Sequence, residues 1–391
     1  MPGNTERISV CHVLEATAGG TRQYLMDACL GLPTDRFEQT AIVSTRRDER
    51  FVADIEALRA AGVRVEVVEM VREIDRREDL RAFRELRDHF RANRYDIIHT
   101  HSSKAGMLGR LAAWRAHNPA ARVYSPHAFA FEMRVTPSRA FLYHWLERLA
   151  GRITDLLICT CDSEREIAVR RRIVPPSRAA VVRTGVDLRR FHPQPDALRV
   201  REEIGLPPRH RIVGTVGGLV EQKGHRDLLH AAALVLAELP HTTFVIAGSG
   251  DLEDELRGGA EALGLGRRVR FLGARDDIPR LLAGLDLFVM PSLWEGMPYA
   301  LIEAMAVGVP VLGSAIPGIV DLIVPNRTGW LAPPAAPEEL AEGIVRALRQ
   351  EGQSAAMAQA ARDMVVREHS RERMLSSLAN CYERLIEVRA Q

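Results

Sequence analysis

Two carboxylates, Glu295 and Glu303, lie eight residues apart and enclose the start of a predicted helix. An apolar strand over 285–290 leads into a loop that ends at Glu295. Pro298 suits the first position of the helix, where its missing N–H costs nothing, and Gly308 ends it. The N-terminus of a helix has unpaired N–H groups and a partial positive charge, which favour a phosphate. The carboxylates before and after this helix start can accept hydrogen bonds from the hydroxyl groups of a ribose or a sugar ring. The pattern therefore indicates a nucleotide-sugar pocket.

The chain has 53 lysine and arginine residues, of which only Lys104 and Lys223 are lysine. The two side chains differ physically, because the lysine ammonium is a compact point charge that can sit against a single phosphate oxygen. Lys223 follows a strand and the Gly-Gly turn 217–218, and Lys104 follows another strand. These positions favour anion binding, although two surface lysines left by chance would give the same count.

Composition limits the class of protein. A chain of 391 residues is too long for one ordinary core, so two domains are expected. Its 46% hydrophobic and 27% charged residues are typical of a globular protein in water. The formal net charge of +2 does not indicate a nucleic-acid partner.

Cysteine usage and the N-terminus bear on localisation. The five cysteines are scattered and show no zinc-binding spacing, which favours a reducing compartment. The first residues lack an apolar segment, and no uncharged run approaches the ~20 residues of a membrane-spanning helix. We therefore expect a cytoplasmic protein.

Short apolar runs alternate with helical patterns along the whole chain. Runs that are apolar on both faces and separated by helices predict parallel sheets covered on both sides. The pattern restarts after Gly185, and each half begins with a strand followed by a Gly-Gly pair. The predicted fold is α/β, with two facing doubly wound, Rossmann-like domains and a deep cleft between them. The predicted domains are 1–185 and 186–367, with a C-terminal helix over 368–391 that packs back on the first domain.

The motifs on both halves resemble those of the retaining GT-B glycosyltransferases of family 4. Glu295 and Glu303 match the Glu-x7-Glu motif of that family, and 217–224 approaches its Gly-Arg-Leu-x-x-x-Lys-Gly stretch. The resemblance covers nearly the whole chain and also rests on the Gly19-Gly20 pair, the linker 184–187 and the segments 99–106 and 125–131. The last two are similar to the branch that builds capsular, exopolysaccharide or O-antigen repeat units.

The resemblance implies a set of donor-binding residues. Glu303 would hold the ribose hydroxyls, Lys223 would neutralise the diphosphate, and Arg275 would border the base. Backbone N–H groups would complete the phosphate site, from the Gly19-Gly20 pair and from the turn that contains Gly296, Met297 and Pro298.

The resemblance also implies the residues nearest the chemistry. Glu295 would contact the transferred sugar and stabilise charge near its anomeric carbon. His127 would reach the donor sugar from the first domain; a structural histidine is the alternative. On the acceptor side, Lys104 and Arg22 are weaker candidates.

One position departs from the family pattern. Gly218 stands where the family usually has arginine. Loss of a charge-assisted bidentate phosphate contact of ~1.5–3 kcal/mol would weaken donor binding ~10- to 150-fold. Arg22 and Arg226 are possible substitutes within the sequence.

The sequence predicts transfer without a metal or other cofactor. It contains no Asp-x-Asp pair, so a metal bridging the diphosphate has no obvious ligand set. Leaving-group charge would then fall to Lys223 and helix dipoles. The resemblance implies front-face retention, in which the departing phosphate accepts the acceptor's proton, rather than attack by Glu295 as a nucleophile.

His99 and His101 lie on one face of a predicted strand, at a spacing that could serve a metal ion. The sequence shows no third ligand, so we interpret the pair as packing residues.

The segment 138–152 predicts an amphipathic helix with arginines beside an apolar stripe. The stripe consists of Phe141, Leu142, Trp145, Leu146 and Leu149. Such a helix fits an anionic membrane surface, where a lipid-linked acceptor would be found, and equally fits packing on its own domain.

The favoured function is transfer of a hexose or N-acetylhexosamine from a UDP-sugar to a saccharide acceptor. The acceptor is expected to be linked to a polyprenyl lipid, in the synthesis of a surface polysaccharide. Three alternatives remain at this point: a small-molecule acceptor, a nucleotide-sugar epimerase and a non-catalytic nucleotide-sugar-binding protein. A dinucleotide oxidoreductase is disfavoured because Gly19-Gly20 does not supply Gly-x-Gly-x-x-Gly.

Overall fold

The computed structural model describes residues 7–48, 50–194, 197–203, 205 and 210–390. The chain divides into two compact units, which are described separately here. The first unit contains residues 1–184 and 372–391, and the second contains residues 185–371.

The first unit is a parallel sheet with helices in the connections. Among its described residues the strand order is β3-β2-β1-β4-β5-β6-β7, which is doubly wound about β1 and β4. The strands are β1 (Ile8–Leu14), β2 (Phe37–Val43), β3 (Arg64–Val67), β4 (Ile97–His101), β5 (Ala121–Ser125), β6 (Leu156–Cys159) and β7 (Ala179–Val181). Its helices are α1 (Gly19–Gly31), α2 (Phe51–Ala60), α3 (Arg76–Ala92), α4 (Ser103–Arg115), α5 (Pro137–Gly151) and α6 (Asp162–Arg170).

The second unit repeats this arrangement with strand order β10-β9-β8-β11-β12-β13 over the residues described. The strands are β8 (Arg211–Val216), β9 (Thr242–Ala247), β10 (Val269–Gly273), β11 (Leu287–Met290), β12 (Val311–Ser314) and β13 (Trp330–Ala332). The helices are α7 (Ala197–Glu203), α8 (His225–Glu238), α9 (Glu253–Ala262), α10 (Ile278–Ala283), α11 (Tyr299–Val307), α12 (Pro337–Arg349) and α13 (Glu351–Glu368).

The last helix, α14 (Arg371–Ala390), contributes residues 372–390 to the first unit. Its Tyr382 is fully buried and forms a 2.6 Å hydrogen bond with Nδ1 of His99 on β4. Glu383 forms an ion pair with Arg36, and Arg389 donates to the carbonyl oxygen of Pro119. These contacts attach the end of the chain to the first unit, with Tyr382 reaching the central strand β4.

Both cores consist of strands that are buried on both faces. The residues of β9 and β11 are all buried, and in β1 the last five residues are buried. Parallel sheets show this pattern because helices cover both faces. No helix in the described part of the chain is long and apolar enough to cross a membrane.

Candidate active site

The loop after β8 places Lys223 beside a tight glycine turn. Gly217 donates its N–H to the carbonyl oxygen of Ala247 at the end of β9. A short 3-10 helix over Glu221–Lys223 follows, and Gly224 ends it with φ of +63°. A side chain at Gly224 would overlap the carbonyl oxygen of Pro291, so only glycine fits this bend. The bend turns the chain directly into α8.

Lys223 forms an ion pair with Glu295 across 72 residues of sequence. Its Nζ donates to Oε1 of Glu295 at 2.6 Å. The Glu295 side chain is 6% exposed and that of Lys223 is 21% exposed. Gln222 donates from Nε2 to Oε2 of the same carboxylate at 3.1 Å and to the carbonyl oxygen of Trp294 at 3.0 Å. Three side chains therefore form one polar cluster at the ends of β8 and β11.

The predicted phosphate turn lies between Glu295 and α11. Pro298 precedes the helix, which begins at Tyr299, so the proline caps the helix instead of occupying its first position. Gly296 packs against Gly318, where an added Cβ would overlap the Gly296 carbonyl oxygen. Met297 is buried. These contacts hold the turn at the N-terminus of α11, whose partial positive charge favours an anion.

Glu303 lies inside α11, one turn after its start, and is half-buried. Gly308 ends the helix in the left-handed conformation with φ of +89°, as its sequence pattern predicts. Glu295 and Glu303 are thus both in the second unit, with Glu295 before the N-terminus of α11 and Glu303 after it.

Arg275 occupies the loop after β10 and is paired with its neighbour Asp277. Its Nε and Nη2 donate to the two carboxylate oxygens of Asp277 at 2.8 and 2.6 Å. This guanidinium lowers the pKa of Asp277. Because both donors face Asp277, a contact from Arg275 to a nucleotide base would use its remaining N–H groups or require the pair to open.

His127 lies in the first unit, in a strained turn after β5. His127 and Ala128 both have positive φ, of 54° and 104°. Conformations of this kind cost ~1–3 kcal/mol per residue and persist only where neighbouring contacts hold them. The N–H of Ala128 donates to Oε1 of buried Glu164 at 2.8 Å, while Oε2 of Glu164 accepts from Thr160. Glu164 thus holds the turn that presents His127.

His127 is the last ring of a row of hydrogen-bonded histidines. Its Nε2 lies 3.1 Å from Nδ1 of His101, and Nε2 of His101 lies 3.0 Å from Nδ1 of His12. His12 Nε2 lies 3.0 Å from Oε1 of Gln39. The sequence reading treated His99 and His101 as a pair without a third ligand. The structure brings a third imidazole, His12, close enough that the nearest nitrogens of the three rings lie within 4.8 Å of one another.

Burial keeps this row neutral. Burial lowers the pKa of His12 and of His127 to about 4, and lowers the pKa of His99 and His101 well below the ordinary value of 6.5. A neutral imidazole has one N–H donor and one lone pair, so each ring can both donate and accept.

Acid should therefore destabilise the first unit. Between pH 6.5 and about 4 an unfolded histidine binds a proton that buried His12 does not, so the free energy of unfolding falls as pH falls through this window and is constant above it. At pH 5 the loss should be about 2 kcal/mol for each histidine of folded pKa near 4. Urea unfolding at pH 7.5, 6 and 5 measures it. Substitution of exposed His192 by Gln should leave the slope unchanged, and a pH-independent unfolding energy in the parent would contradict the expectation.

The other predicted residues of the first unit already have protein partners. Lys104 donates from Nζ to Asp79 at 2.6 Å and to the carbonyl oxygen of Glu73 at 2.7 Å. Arg22 forms a two-point ion pair with Asp54. The sequence reading placed Gly19 and Gly20 in a loop, whereas they are the first two residues of α1.

Sequence reasoning missed Gln222, His12 and Glu164. Gln222 precedes Lys223 and could have been suspected from that position alone. His12 is a single polar residue within an apolar strand, and Glu164 is an acidic residue on an ordinary helix. Gln222 and His12 bond to residues 27 to 89 positions away, and the bond of Glu164 to Ala128 spans 36 positions, which no local pattern reveals.

Comparison with known proteins places this geometry in a family. Residues 19–185 match the family described as "Glycosyl transferase 4-like domain", and residues 196–364 match "Glycosyl transferases group 1". A UDP-Gal:alpha-D-GlcNAc-diphosphoundecaprenol alpha-1,3-galactosyltransferase from Escherichia coli is 33% identical over 336 residues, which are 85% of this chain and 85% of that protein.

The chain belongs to the group 1 glycosyltransferases. A second relative, the putative glycosyltransferase EpsD of Bacillus subtilis, is 30% identical over 65% of this chain and 68% of that protein. Membership of this family makes the protein a hexosyltransferase. The alternative predictions of a nucleotide-sugar epimerase and of a non-catalytic nucleotide-sugar-binding protein are therefore not supported.

Solved structures confirm the GT-B fold of this glycosyltransferase. Anabaena HepE, solved with UDP and glucose, superposes with a TM-score of 0.80 at 22% identity over 96% of this chain and all of that chain. Sucrose-phosphate synthase from Thermosynechococcus elongatus superposes with a TM-score of 0.81 at 22% identity over 98% of this chain and all of that chain. At this identity the likeness concerns the fold.

Proposed function

We propose that this glycosyltransferase moves a hexose or N-acetylhexosamine from a UDP-sugar to a saccharide carried on a polyprenyl diphosphate. Transfer would proceed with retention of anomeric configuration and without a metal ion. The observation that carries the proposal is the Lys223–Glu295–Gln222 cluster next to the N-terminus of α11. The E. coli relative, whose donor is UDP-Gal and whose acceptor is a GlcNAc-diphosphoundecaprenol, supports the choice of substrates.

The second unit supplies the groups that a departing nucleoside diphosphate requires. Lys223 carries a positive charge in a largely desolvated position, where an electrostatic contact is stronger than in water. The N-terminus of α11 adds a partial positive charge. Glu303 would accept hydrogen bonds from ribose hydroxyls, and Arg275 would border the base.

The proposed step is a front-face displacement. The bond between the anomeric carbon and the β-phosphate oxygen breaks, and its electron pair leaves with UDP. The acceptor hydroxyl oxygen bonds to the anomeric carbon on the same face, and its proton passes to the departing phosphate oxygen. Glu295 would stabilise the positive charge that develops on the sugar ring, while His127 would contact a sugar hydroxyl.

Donor and acceptor are tested in one assay. Purified enzyme is incubated with UDP-Gal, UDP-Glc, UDP-GlcNAc and GDP- and ADP-sugars, in the presence and absence of EDTA. The acceptor is either a GlcNAc-diphospho-polyprenyl lipid or a soluble GlcNAc saccharide. The expected result is EDTA-resistant UDP release and a product whose new linkage has the donor's anomeric configuration by NMR. Inverted configuration, a requirement for metal, or transfer only to soluble acceptors would each contradict the corresponding part of the proposal.

Helix α5 provides a surface for the membrane that carries such an acceptor. Its apolar stripe faces outward, with Phe141 67% exposed and Leu142, Trp145 and Leu149 each 45–47% exposed. Leu146 of the same stripe is half-buried. A groove beside the stripe is lined by four arginines, Arg148, Arg152, Arg172 and Arg178. Exposed apolar rings together with clustered arginines favour an anionic lipid surface.

Vesicle flotation tests this contact. The protein should float with phosphatidylglycerol vesicles at low salt and remain unbound with phosphatidylcholine vesicles. Substitution of Phe141 and Trp145 by Ser should abolish flotation. Val388 is 71% exposed on α14, so Val388→Ser is a matched control that should float normally. Flotation of the double variant, or equal binding to neutral vesicles, would rule out the proposed surface.

A further inference from the structure

The row of hydrogen-bonded histidines in the first unit ends at His127, which the proposed function places against the sugar. Its other end is the contact between His12 and Gln39, to which the proposed function gives no role. We propose that Gln39, His12 and His101 are positioning residues that fix the tautomer of His127. In that tautomer Nδ1 of His127 carries a lone pair and accepts a hydrogen bond from a substrate hydroxyl. The inference rests on the proposed function only for the substrate contact.

The direction of the row follows from Gln39. In the structure its carboxamide oxygen faces Nε2 of His12 at 3.0 Å, while its own buried amide nitrogen is without a side-chain or backbone acceptor among the described residues. In this orientation of the carboxamide the oxygen accepts, so Nε2 of His12 carries the proton. Nδ1 of His12 then has a lone pair and accepts from Nε2–H of His101, 3.0 Å away. By the same rule Nδ1 of His101 accepts from Nε2–H of His127 at 3.1 Å. A neutral ring has only one proton, so Nδ1 of His127 is left as an acceptor.

His99 is held in a separate row and does not compete for these bonds. The hydroxyl of Ser125 donates to the carbonyl oxygen of Ile158 at 2.8 Å, so its oxygen accepts from Nε2–H of His99 at 2.9 Å. Nδ1 of His99 accordingly accepts from the Tyr382 hydroxyl at 2.6 Å. Both nitrogens are used, which explains the three-imidazole cluster as a hydrogen-bonded array and gives a metal ion no free nitrogen of His99.

Burial makes the row effective. His12, His99 and His101 are at most 1% exposed, so water cannot exchange their hydrogen-bond partners or offer an alternative donor. The rings are also held by stacking, since the His12 and His101 centroids are 5.3 Å apart and those of His101 and His127 are 5.4 Å apart. The edge of Tyr24 packs against His127 with centroids 4.8 Å apart. The preference at Gln39 is thereby transmitted through two rings to the third.

The arrangement predicts a specificity. A bare Nδ1 accepts from a hydroxyl, whereas a ligand that presents a carboxylate or carbonyl oxygen at this position would place two acceptors against each other. Unpaired acceptors of this kind are costly when they lie away from water. The site therefore favours sugars with a hydroxyl at the position that His127 contacts over sugars with an oxidised carbon there.

The test is a measurement of histidine tautomers. Full-length protein labelled with ¹⁵N-histidine is studied at about pH 8 by long-range proton–nitrogen correlation, with His127 assigned from the spectrum of His127→Asn. The expected result is a pyrrole-type Nε2 and a pyridine-type Nδ1 for His127. The opposite tautomer in the parent protein would overturn the proposal without any variant, and so would stoichiometric metal bound to the purified protein.

Variants at position 39 test the origin of the preference. Gln39→Met removes the acceptor at similar volume and should give His127 a mixture of both tautomers, with KM for the donor raised about tenfold and kcat little changed. Gln39→Glu keeps an acceptor oxygen and should restore both the tautomer and KM. Gln359→Met, which breaks only an exposed contact with Asp363, should change neither.

The outcomes separate the two proposals. A His127 tautomer that ignores Gln39→Met would overturn the positioning role of Gln39. A changed tautomer with unchanged KM would overturn the substrate contact. The spectra require no turnover, so the expected tautomer in a protein without transferase activity would contradict the proposed function and leave the positioning role supported.

Discussion

Replacing Gly218 with arginine is expected to tighten binding of the nucleotide-sugar donor by about tenfold or more. The family usually has arginine at this position, and a charge-assisted contact to phosphate of about 1.5–3 kcal/mol corresponds to roughly 10- to 150-fold in affinity. The two arginines that the sequence offered as substitutes are engaged elsewhere. Arg22 is paired with Asp54, and Arg226 is paired with Glu255.

The structure has room for this side chain. Gly218 is exposed, and an added Cβ would meet nothing closer than the Ser249 carbonyl oxygen at 3.8 Å. The adjacent Gly217 is different, because its Cβ would press on Cε of Lys223 at 3.3 Å. Position 218 is thus the place in this turn where an arginine can be introduced without moving Lys223.

Calorimetric titration with UDP and with the UDP-sugar measures the effect. The gain should shrink at high salt, since the new contact is ionic. Gly258→Arg adds the same charge to an exposed helical position of the same unit with nothing near its Cβ, so its dissociation constant should equal that of the parent. An unchanged or larger dissociation constant for Gly218→Arg would show that phosphate does not lie beside this turn.

Replacing Lys223 with methionine is expected to lower kcat about 10²- to 10³-fold. Removal of one preorganised charge or donor that stabilises a transition state commonly has this effect. The substitution also leaves the Glu295 carboxylate, which is 6% exposed, with Gln222 as its remaining side-chain partner in this cluster. An uncompensated charge at such a position is costly, so some loss of stability should accompany the loss of rate.

Steady-state kinetics and thermal unfolding separate these two effects. Lys223→Arg should recover part of the rate, because it restores the charge but in a planar fork that cannot occupy the same point. Arg349→Met is the control: it removes a positive charge from an exposed ion pair with Glu238 in the same unit and should leave kcat within about twofold of the parent. A Lys223→Met enzyme that retains a tenth or more of the parent kcat would exclude Lys223 from the stabilisation of the leaving group.

The second unit shows how far local patterns reach. Strand β11, the turn before α11 and the glycine that ends this helix were all visible in the sequence, since buried runs and helix stops are properties of neighbouring residues. The sequence also singled out Lys223 and Glu295 separately. That they form an ion pair was not visible, because it depends on β8 and β11 being neighbours in the sheet.

In the first unit, the functional contacts depend on the tertiary structure more than on local sequence patterns. Strand β1 is an apolar run of the kind that predicts a buried strand, yet the chemistry of His12 within it was not predictable. Its partners come from β2 and β4, and the register of the sheet sets His12 directly opposite His99. The register of a sheet is decided by the packing of whole strands, so it cannot be predicted from the type of a single residue.

The sequence alone determined the class of fold, the family and the residues around the α11 N-terminus, because these follow from hydrophobic period, helix stops and short motifs. Only the tertiary structure decided which charges are already paired, as with Lys104 and Asp79 or Arg275 and Asp277, and which polar groups form networks. The physical reason is that a hydrogen bond or a contact ion pair forms only when its two groups lie within about 3–4 Å of each other. Chain folding brings groups to that distance from positions tens to hundreds of residues apart, as it does for His99 and Tyr382.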